Sequence, residues 1–312
     1  MILILEMLKL KKKIKLSNIL EKVEIDLESK EIIEMLDNYH SNPKAHVIGI
    51  TGPPGVGKSS LINNLIKNIR KNKRSVGIIA IDPSSTESGG ALLGDRTRFT
   101  FDFKDENVFV RSMATKNHLG GVSELTYPTM AVMRSMFDFL IVETVGVGQS
   151  EINIKDLVDT VILCVQPGSG DTIQFMKSGV FEIPDIIVIT KSDLDKLPDL
   201  TYSELVGSKQ YLRKKSSWDT NILLISSHKN KGFDELYIEL KKRWSWLKKD
   251  KKVVLNRIIQ DKEWIKKKIT SYFGTRGLEK LNKFLMQIRK KIILFEGELK
   301  GGKGHHYDHL VE

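Results

Sequence analysis

The segment Gly52–Ser59 constrains this chain more than any other part of the sequence. It reads GPPGVGKS, which has the spacing Gly-x-x-x-x-Gly-Lys-Ser; an apolar run at residues 45–50 precedes it, and a helical pattern with Leu61, Ile62 and Leu65 follows. Glycines let backbone N–H groups turn toward a phosphate, and a helix N-terminus adds partial positive charge. This setting predicts a P-loop, a nucleotide-binding turn between a strand and a helix.

The predicted P-loop combines a backbone cradle with two chemically active side chains. We expect Lys58 to reach the outer phosphates as a catalytic residue and the Ser59 hydroxyl to hold Mg²⁺. The alternative is a glycine-rich turn that binds nothing, and the complete spacing with both flanks argues against it. The predicted nucleotide contacts of the loop are Gly52, Pro53, Pro54, Gly55, Val56, Gly57, Lys58, Ser59 and Ser60.

Strand and helix patterns alternate after the P-loop. Continuous apolar runs are typical of strands covered on both faces, so the sequence predicts an α/β fold. The predicted fold class is a P-loop NTPase with a mainly parallel sheet flanked by helices, and we expect ligand residues to collect at the carboxyl ends of the strands. The predicted strands are residues 45–50, 75–82, 107–111, 137–143, 160–166, 185–190 and 221–226.

Helical patterns extend the chain beyond this core at both ends. They lie at residues 8–42, 233–247, 253–272 and 278–293. Trp244 and Trp246 fall among lysines here, and we expect them to pack as part of amphipathic helices. The sequence thus predicts three parts: an N-terminal helical extension at residues 1–43, a P-loop domain at 44–249, and a C-terminal helical arm with a flexible tail at 250–312.

A basic surface is the main compositional feature. The chain has 50 Lys and Arg against 39 Asp and Glu, a formal net charge of +11. Such charge attracts nucleic acid or anionic lipid, but aromatic residues are not interleaved with the lysine runs as a stacking platform requires. We therefore expect a solvated lysine-rich surface and no nucleic-acid partner.

The single cysteine and the apolar start of the chain bear on its compartment. Cys164 lies in the apolar run 161–165 and is expected to be a buried small hydrophobe, which fits a reducing compartment. Residues 1–5 are apolar but are followed at once by Glu6 and then Lys9, so the run is too short to span a membrane. We expect a cytoplasmic protein with no membrane association.

Three carboxylates near strand ends are candidates for a magnesium site. Asp82 ends the second strand and Asp95 lies in the long polar loop beyond it; each is expected to bind Mg²⁺ directly or through water, the alternative being an ordinary turn aspartate. Glu143 closes an apolar strand with Gly146 three residues on, which is typical of a carboxylate leading into a γ-phosphate sensor. Whether Glu143 acts through the metal or orients water stays open. The predicted catalytic residues are Lys58, Glu143 and Asp95, and the predicted metal ligands are Ser59, Asp82, Asp95 and Glu143.

The segment Thr190-Lys191-Ser192-Asp193 indicates the base of the nucleotide. A carboxylate such as Asp193 accepts hydrogen bonds from both the ring N–H and the exocyclic amine of guanine, whereas adenine presents an acceptor at that ring nitrogen. The Lys191 stem is expected to lie over the base plane. Together with the P-loop, this segment predicts GTP or GDP as the nucleotide. The predicted base and γ-phosphate contacts outside the P-loop are Gly146, Thr190, Lys191, Asp193, Ser226, Ser227 and His228.

Six motifs between residues 45 and 193 together resemble one family. They are AHVIGITGPPGVGKSSL, IDPSSTESGGALLGDRTR, LGGV, FDFLIVETVGVGQSE, QPGSGD and TKSD. The chain resembles the MeaB/ArgK family, the methylmalonyl-CoA mutase-associated P-loop GTPases; DPSS followed by LGD, and VETVGVGQSE, are specific to that family. Two departures stand out: Thr190 replaces a frequent Asn, and SMATKNHLGGVSELT differs from the usual PSPSSGTLGGVARKT.

The resemblance implies a GTPase that gates cofactor loading into an adenosylcobalamin-dependent acyl-CoA mutase and protects the holoenzyme. It implies switch segments at residues 82–98, 143–151 and 167–179, the last including Asp171 and Lys177 and relaying the nucleotide state to the mutase. It also implies a homodimer formed through the C-terminal arm at residues 250–295.

The expected reaction is hydrolysis of GTP to GDP and phosphate by Mg²⁺-organised water. We expect slow turnover without a partner because no arginine finger is evident, although Arg96 and Arg98 are candidates. Three alternatives are a nucleotide-gated scaffold whose hydrolysis is incidental, a metallochaperone-type GTPase and a transport-linked kinase of the ArgK type. The lack of a Cys/His ligand cluster argues against the metallochaperone, and the lack of an acceptor-pocket signature argues against the kinase.

Overall fold

A computed structural model of the protein describes residues 2–82, 99–100, 102, 104–114, 125–144, 154–168, 183–209 and 217–299. At residues 2–11, 82, 114, 209 and 284–299 it describes the backbone alone. The chain divides into two compact units, Met1–Arg257 and Ile258–Glu312. The predicted domain boundaries after residues 43 and 249 stay predictions. The predicted functional residues outside the described ranges are Asp95, Arg96, Arg98, Gly146, Asp171 and Lys177, and the Asp82 side chain lies outside them too.

Among the described residues, seven strands form one sheet in the first unit. They are β1 His46–Thr51, β2 Val76–Asp82, β3 Val108–Ala114, β4 Phe139–Glu143, β5 Thr160–Val165, β6 Ile186–Ile189 and β7 Asn221–Leu224. Their order is β3-β2-β4-β1-β5-β6-β7, and every adjacent pair is parallel. Every residue of β1, β4, β5 and β6 is buried, as expected for strands covered on both faces. The predicted α/β fold is confirmed.

Helices connect the strands and extend both ends of the chain. Within the described ranges they are α1 Ile2–Ile25, α2 Lys30–Ser41, α3 Lys58–Lys71, α4 Thr126–Met136, α5 Leu197–Lys209, α6 Phe233–Lys248 and α7 Lys252–Leu299, with a 3₁₀ turn at Lys249–Lys251. The helix predicted after the P-loop is α3, which buries Leu61, Ile62 and Leu65 against the sheet core. No helix in the described part of the chain is both long and apolar enough to cross a bilayer.

Two elements depart from their predicted bounds. β3 runs to Ala114 rather than to residue 111, because it pairs with β2 residue by residue as far as Asp82. The predicted helices 253–272 and 278–293 form one element, α7, which is interrupted only at Gly274 (φ 64°, ψ −173°). Glycine adopts this positive φ without a Cβ clash, so the non-helical conformation is confined to one residue and the helix continues after it.

The strand order creates a crevice at the carboxyl edge of the sheet. The connection from β1 runs toward β2, and the connection from β4 runs in the opposite direction toward β5. In a parallel sheet, ligands bind at the carboxyl ends of two neighbouring strands, such as β1 and β4, whose outgoing connections run to opposite sides. In register, Glu143 at the end of β4 lies opposite Ile50 of β1 and Ala80 of β2. The P-loop and Glu143 therefore leave the sheet at the same edge.

A buried ion pair holds the opposite, amino edge of the sheet. The Arg257 guanidinium donates to both carboxylate oxygens of Asp159, at 2.9 and 2.6 Å, and to the Ala45 carbonyl at 2.8 Å. Asp159 also accepts a hydrogen bond from the Val47 N–H at 2.8 Å. The start of α7 is thereby tied to the starts of β1 and β5, far from the P-loop edge.

The tryptophans of α6 pack at this amino edge. Trp244 stacks on the buried His46 ring, with centroids 4.7 Å apart, and the Arg243 guanidinium lies 4.5 Å from the centroid of Trp246. His46 Nε2 is 2.7 Å from Thr160 Oγ1. The predicted packing role of Trp244 and Trp246 is confirmed.

Candidate functional site

The P-loop joins β1 to α3 through three glycines with positive φ, which are Gly52 at 140°, Gly55 at 74° and Gly57 at 104°. At Gly52 a Cβ would lie 2.5 Å from the Cys164 carbonyl oxygen, so a side chain does not fit beneath the loop. Gly57 precedes α3 and contributes no side-chain cap to its first turn. Uncapped N–H groups at a helix start suit this turn to bind an anion.

The Lys58 side chain folds back over the loop that precedes it. Its ammonium donates to the Gly52 carbonyl at 2.7 Å and to the Pro53 carbonyl at 3.0 Å, and the residue is 8% exposed. Both acceptors are neutral, so they hold the ammonium without cancelling its charge. A positive charge is thus held beside the start of α3, where the phosphates are expected.

Ser59 and Glu143 form a direct pair at the end of the sheet crevice. The Ser59 hydroxyl donates to Glu143 Oε1 at 2.9 Å, and Glu143 is buried as the last residue of β4. Hydroxyl and carboxylate oxygens are ligands that Mg²⁺ prefers, and Mg²⁺ keeps several waters rather than requiring a full protein cage. The pair therefore fits a magnesium site. No group of three or more His, Cys, Asp or Glu able to hold a metal occurs within the described ranges.

Thr190 connects the P-loop to the strand ends beside it. Its Oγ1 lies 2.7 Å from the Val56 carbonyl oxygen and 3.2 Å from that of Val165, and the residue is buried. The Thr190 N–H donates to the Val165 carbonyl at 2.9 Å. A threonine hydroxyl thus makes the link to the P-loop at the position where Thr190 departs from the frequent Asn of the resembling family.

Lys191 makes a second connection to the P-loop. Its ammonium donates to the Gly55 carbonyl at 3.2 Å and to Gln166 Oε1 at 2.8 Å. The residue has φ 52°, in the left-handed region. The predicted base-binding segment and the predicted phosphate-binding loop are therefore parts of one site.

Asp193 is oriented by a serine from the last strand end. The buried Ser226 hydroxyl donates to Asp193 Oδ1 at 2.5 Å, and this hydrogen bond lowers the pKa of the Asp193 carboxyl below its ordinary value. The Ser226 oxygen in turn accepts from the Lys229 N–H at 3.0 Å. Asp193 is thereby kept as an anion, the form that accepts two hydrogen bonds from guanine.

Comparison with known proteins places this site in a family. Residues 16–280 match the family model described as Methylmalonyl Co-A mutase-associated GTPase MeaB. The chain belongs to the MeaB family. It is accordingly a GTP hydrolase, and membership of this GTPase family implies that it binds a guanine nucleotide.

Individual relatives agree with this assignment. A Pyrococcus horikoshii protein that carries GTPase in its name is 38% identical over 261 residues, which is 82% of each chain. The Mus musculus protein named Methylmalonic aciduria type A homolog, mitochondrial, is 32% identical over 268 residues, covering 83% of this chain and 62% of that one. The crystal structure of LAO/AO transport system kinase has a TM-score of 0.66 at 23% identity, covering 88% of this chain and 93% of that one. At that identity the structural likeness shows the fold alone.

Sequence reasoning missed two members of this MeaB-family site. Asn64 on α3 donates from Nδ2 to the Ser227 carbonyl at 2.9 Å, which ties the loop after β7 to the P-loop helix. Gln166, the residue after β5, accepts from Lys191. Gln166 is the first residue of the QPGSGD motif, but nothing in that motif indicates a contact with Lys191, and Asn64 belongs to no quoted motif; the partners of Asn64 and Gln166 lie 163 and 25 residues away in the chain. No pattern within one segment reveals such pairs.

The remaining predicted residues lie around the same pocket with different exposure. Pro54 and Ser60 are exposed at the P-loop surface, and His228 is exposed beside Ser227. Cys164 is fully buried under Gly52, and burial raises the pKa of its thiol to about 12 although the Lys58 charge opposes the shift. Cys164 is thus a neutral packing residue, as predicted, and not a nucleophile.

Proposed function

We propose that this GTPase binds GTP in the single pocket formed by the P-loop and the Thr190–Asp193 segment. The observation that carries the proposal is that Thr190 and Lys191 both contact P-loop carbonyls, those of Val56 and Gly55. The phosphate-binding and base-binding parts are then held at a fixed separation. Asp193 selects guanine, with Ser226, Ser227 and His228 at the base carbonyl.

Hydrolysis in this pocket divides the work among its side chains. Lys58 stabilises negative charge on the transferred phosphoryl group, assisted by the N–H groups at the start of α3. Ser59 and Glu143 would hold Mg²⁺, with Asp82 and Asp95 directly or through water, and the ion would supply further positive charge when bound. Since Glu143 accepts a hydrogen bond from Ser59, a metal-linked role for Glu143 is favoured over a water-orienting one. Asp95 completes the proposed catalytic set.

Phosphate release from GTP tests this assignment. The purified protein is expected to release phosphate from GTP in buffer containing Mg²⁺, to release little in EDTA, and to release little from ATP in either buffer. Equal release from ATP and GTP would contradict guanine selection by Asp193. Undiminished release in EDTA would contradict the magnesium site.

The nucleotide cycle is further proposed to serve an acyl-CoA mutase. The family description names association with methylmalonyl Co-A mutase, and the mouse relative carries methylmalonic aciduria in its name. The protein would act as a chaperone that gates loading of the cobalamin cofactor and protects the mutase. The switches would be residues 82–98, 143–151 and 167–179, with Asp171 and Lys177 in the last.

Pull-down with a purified adenosylcobalamin-dependent methylmalonyl-CoA mutase tests the partner. We expect retention of the mutase to differ between protein loaded with GDP and protein loaded with a non-hydrolysable GTP analogue. Loading of added cobalamin into the apo-mutase, measured by the absorbance of the cobalamin, should also differ between these two nucleotide states. Equal retention of the mutase and equal cobalamin loading in both states would contradict the gating role. Failure to retain the mutase in either state would contradict the proposed partnership.

A homodimer in the cytoplasm completes the proposal. The described part of the second unit, residues 258–299, belongs to α7 and carries exposed apolar side chains, including Ile265, Tyr272 and Phe273. Its surface has a cavity of about 520 Å³ lined by Ile269, Phe273, Arg276, Gly277, Lys280 and Leu281. Apolar surface of this kind is suited to a second copy of the arm.

A further inference from the structure

We propose that Gln166 is a positioning residue for Lys191 and sets the affinity for guanine nucleotide without taking part in phosphate chemistry. The inference rests on the proposed function and on the expectation from the sequence that the Lys191 stem lies over the base plane. Gln166 follows the last residue of β5 and is half-buried. Its Oε1 accepts from Lys191 Nζ at 2.8 Å, the shorter of the two hydrogen bonds described for that ammonium.

The backbone on both sides of Lys191 is fixed by neighbouring strands. The Thr190 N–H donates to the Val165 carbonyl at 2.9 Å, and the Ser192 N–H donates to the Ile225 carbonyl at 3.1 Å. Between them Lys191 has φ 52°, a conformation that non-glycine residues adopt where their surroundings hold them. The α-carbon end of the side chain is therefore fixed, and the path of the stem depends on where the ammonium is held.

Two neutral acceptors hold that ammonium. They are the Gly55 carbonyl and the Gln166 amide oxygen, and no carboxylate among the described residues forms an ion pair with Lys191. Together these acceptors hold the ammonium in place, so the stem that leads to it follows a defined path. Removal of the Gln166 acceptor leaves one hydrogen bond and a flexible four-carbon stem, which then spends less time against the base.

Exchange of Gln166 for two matched residues separates the acceptor from the side-chain volume. Gln166→Met keeps the length and removes the acceptor, and Gln166→Glu keeps an acceptor. With a fluorescent GDP derivative, we expect Gln166→Met to raise Kd about three- to tenfold, through faster dissociation, with kcat for GTP within about twofold of wild type. Gln166→Glu should stay within about twofold of wild type in Kd. An unchanged Kd in Gln166→Met would overturn the proposal, as would an increase in the Kd of Gln166→Glu as large as that of Gln166→Met.

Thr201→Val is the control for general loosening of this region. Thr201 Oγ1 accepts from the Gly168 N–H at 3.3 Å, two residues beyond Gln166, without a described contact to Lys191. We expect its Kd for GDP to stay within about twofold of wild type. A loss as large as that of Gln166→Met would mean that any disturbance here weakens binding, which contradicts a specific role.

A double-mutant cycle with Lys191→Met identifies the route of the effect. If Gln166 acts through Lys191, Gln166→Met causes no further loss in the Lys191→Met background. Additive losses would contradict the proposal. If Lys191→Met alone leaves GDP affinity unchanged, the proposed base contact fails together with this inference; if it weakens binding while Gln166→Met does not, this inference fails alone.

Discussion

Lys58 combines burial in the P-loop with a charge that its carbonyl partners do not neutralise. We expect Lys58→Ala to lower kcat for GTP hydrolysis at least about a hundredfold, because a preorganised charge at the transferred phosphoryl is lost. Lys71→Ala, at the exposed end of α3, is the matched control and should keep wild-type turnover. Phosphate release at saturating GTP measures both. Normal turnover of Lys58→Ala would reject the phosphate assignment.

His46 makes the stability of the fold depend on pH. Burial, and then the charges of Arg243, Arg257 and Lys248, hold the pKa of His46 well below 6.5. Below pH 6.5 the unfolded chain therefore binds a proton that the folded chain does not, so the free energy of unfolding falls as pH falls.

The variant His46→Phe isolates this contribution, because phenylalanine retains a ring against Trp244 and does not titrate. Between pH 6.5 and 5.5 wild type should lose about 1 kcal/mol more of its free energy of unfolding than His46→Phe loses. Urea unfolding at the two pH values measures the difference. Equal losses in the two proteins would show that His46 does not cause the pH dependence.

Lys58, Ser59 and Asp193 were predictable because each belongs to a short motif whose spacing reflects local geometry. Glycines with positive φ are required where the loop approaches Cys164, and this requirement is visible in the spacing itself. The contacts of Asn64 and Gln166 were not predictable, since their partners become neighbours only after the sheet forms. The same holds for Arg257 and Asp159, which are 98 residues apart.

The start of α7 is joined to β1 and β5 by the Arg257–Asp159 pair, whose side chains are 11% and 1% exposed. Arg257→Met should lower the free energy of unfolding by about 3 to 5 kcal/mol, because it leaves a buried carboxylate without its cation. Adding Asp159→Asn should recover part of the loss, since the amide oxygen still accepts from the Val47 N–H without a charge. Urea unfolding of the single and double variants gives both values.

The surface pair Lys30–Glu34 provides the control for this measurement. Its side chains are 91% and 69% exposed, and Lys30→Met should change the free energy of unfolding by less than about 0.5 kcal/mol. A loss in Arg257→Met no larger than in Lys30→Met would contradict a structural role for the buried pair.

The strands were predictable and their lateral order was not. Runs such as Phe139–Glu143 and Thr160–Val165 are apolar except for one terminal residue each, because both faces of each strand are covered. Such runs resemble one another, so nothing in them indicates that β4 inserts between β2 and β1. That order brings Glu143 next to the P-loop.

The proposed homodimer can be tested at the exposed apolar side chains of α7. Phe273 is 71% exposed and lines the cavity of the second unit. If the arm forms a homodimer, Phe273→Glu should shift light-scattering mass from dimer to monomer at micromolar concentration, because a buried charge replaces an apolar contact. Lys283→Glu, on the same helix and exposed, is the control. A dimer that persists in Phe273→Glu would place the interface elsewhere.

The molecule as a whole brings five strand ends to one pocket. β1 leads into the P-loop, β4 ends in Glu143, β5 and β6 lead to Gln166 and Thr190, and the loop after β7 carries Ser226. A parallel sheet makes this convergence possible, and the alternating pattern of the sequence predicts it. Selection of guanine by this pocket is the claim on which the proposed cycle depends.

Calorimetric titration of the purified protein with GTP and with ATP, both in the presence of Mg²⁺, tests that claim most directly. GTP should bind at least about a hundredfold more tightly than ATP, because ATP leaves the Asp193 carboxylate facing an acceptor instead of two donors. Asp193→Asn should lose most of this preference. Equal affinities for GTP and ATP in the wild-type protein would contradict the account.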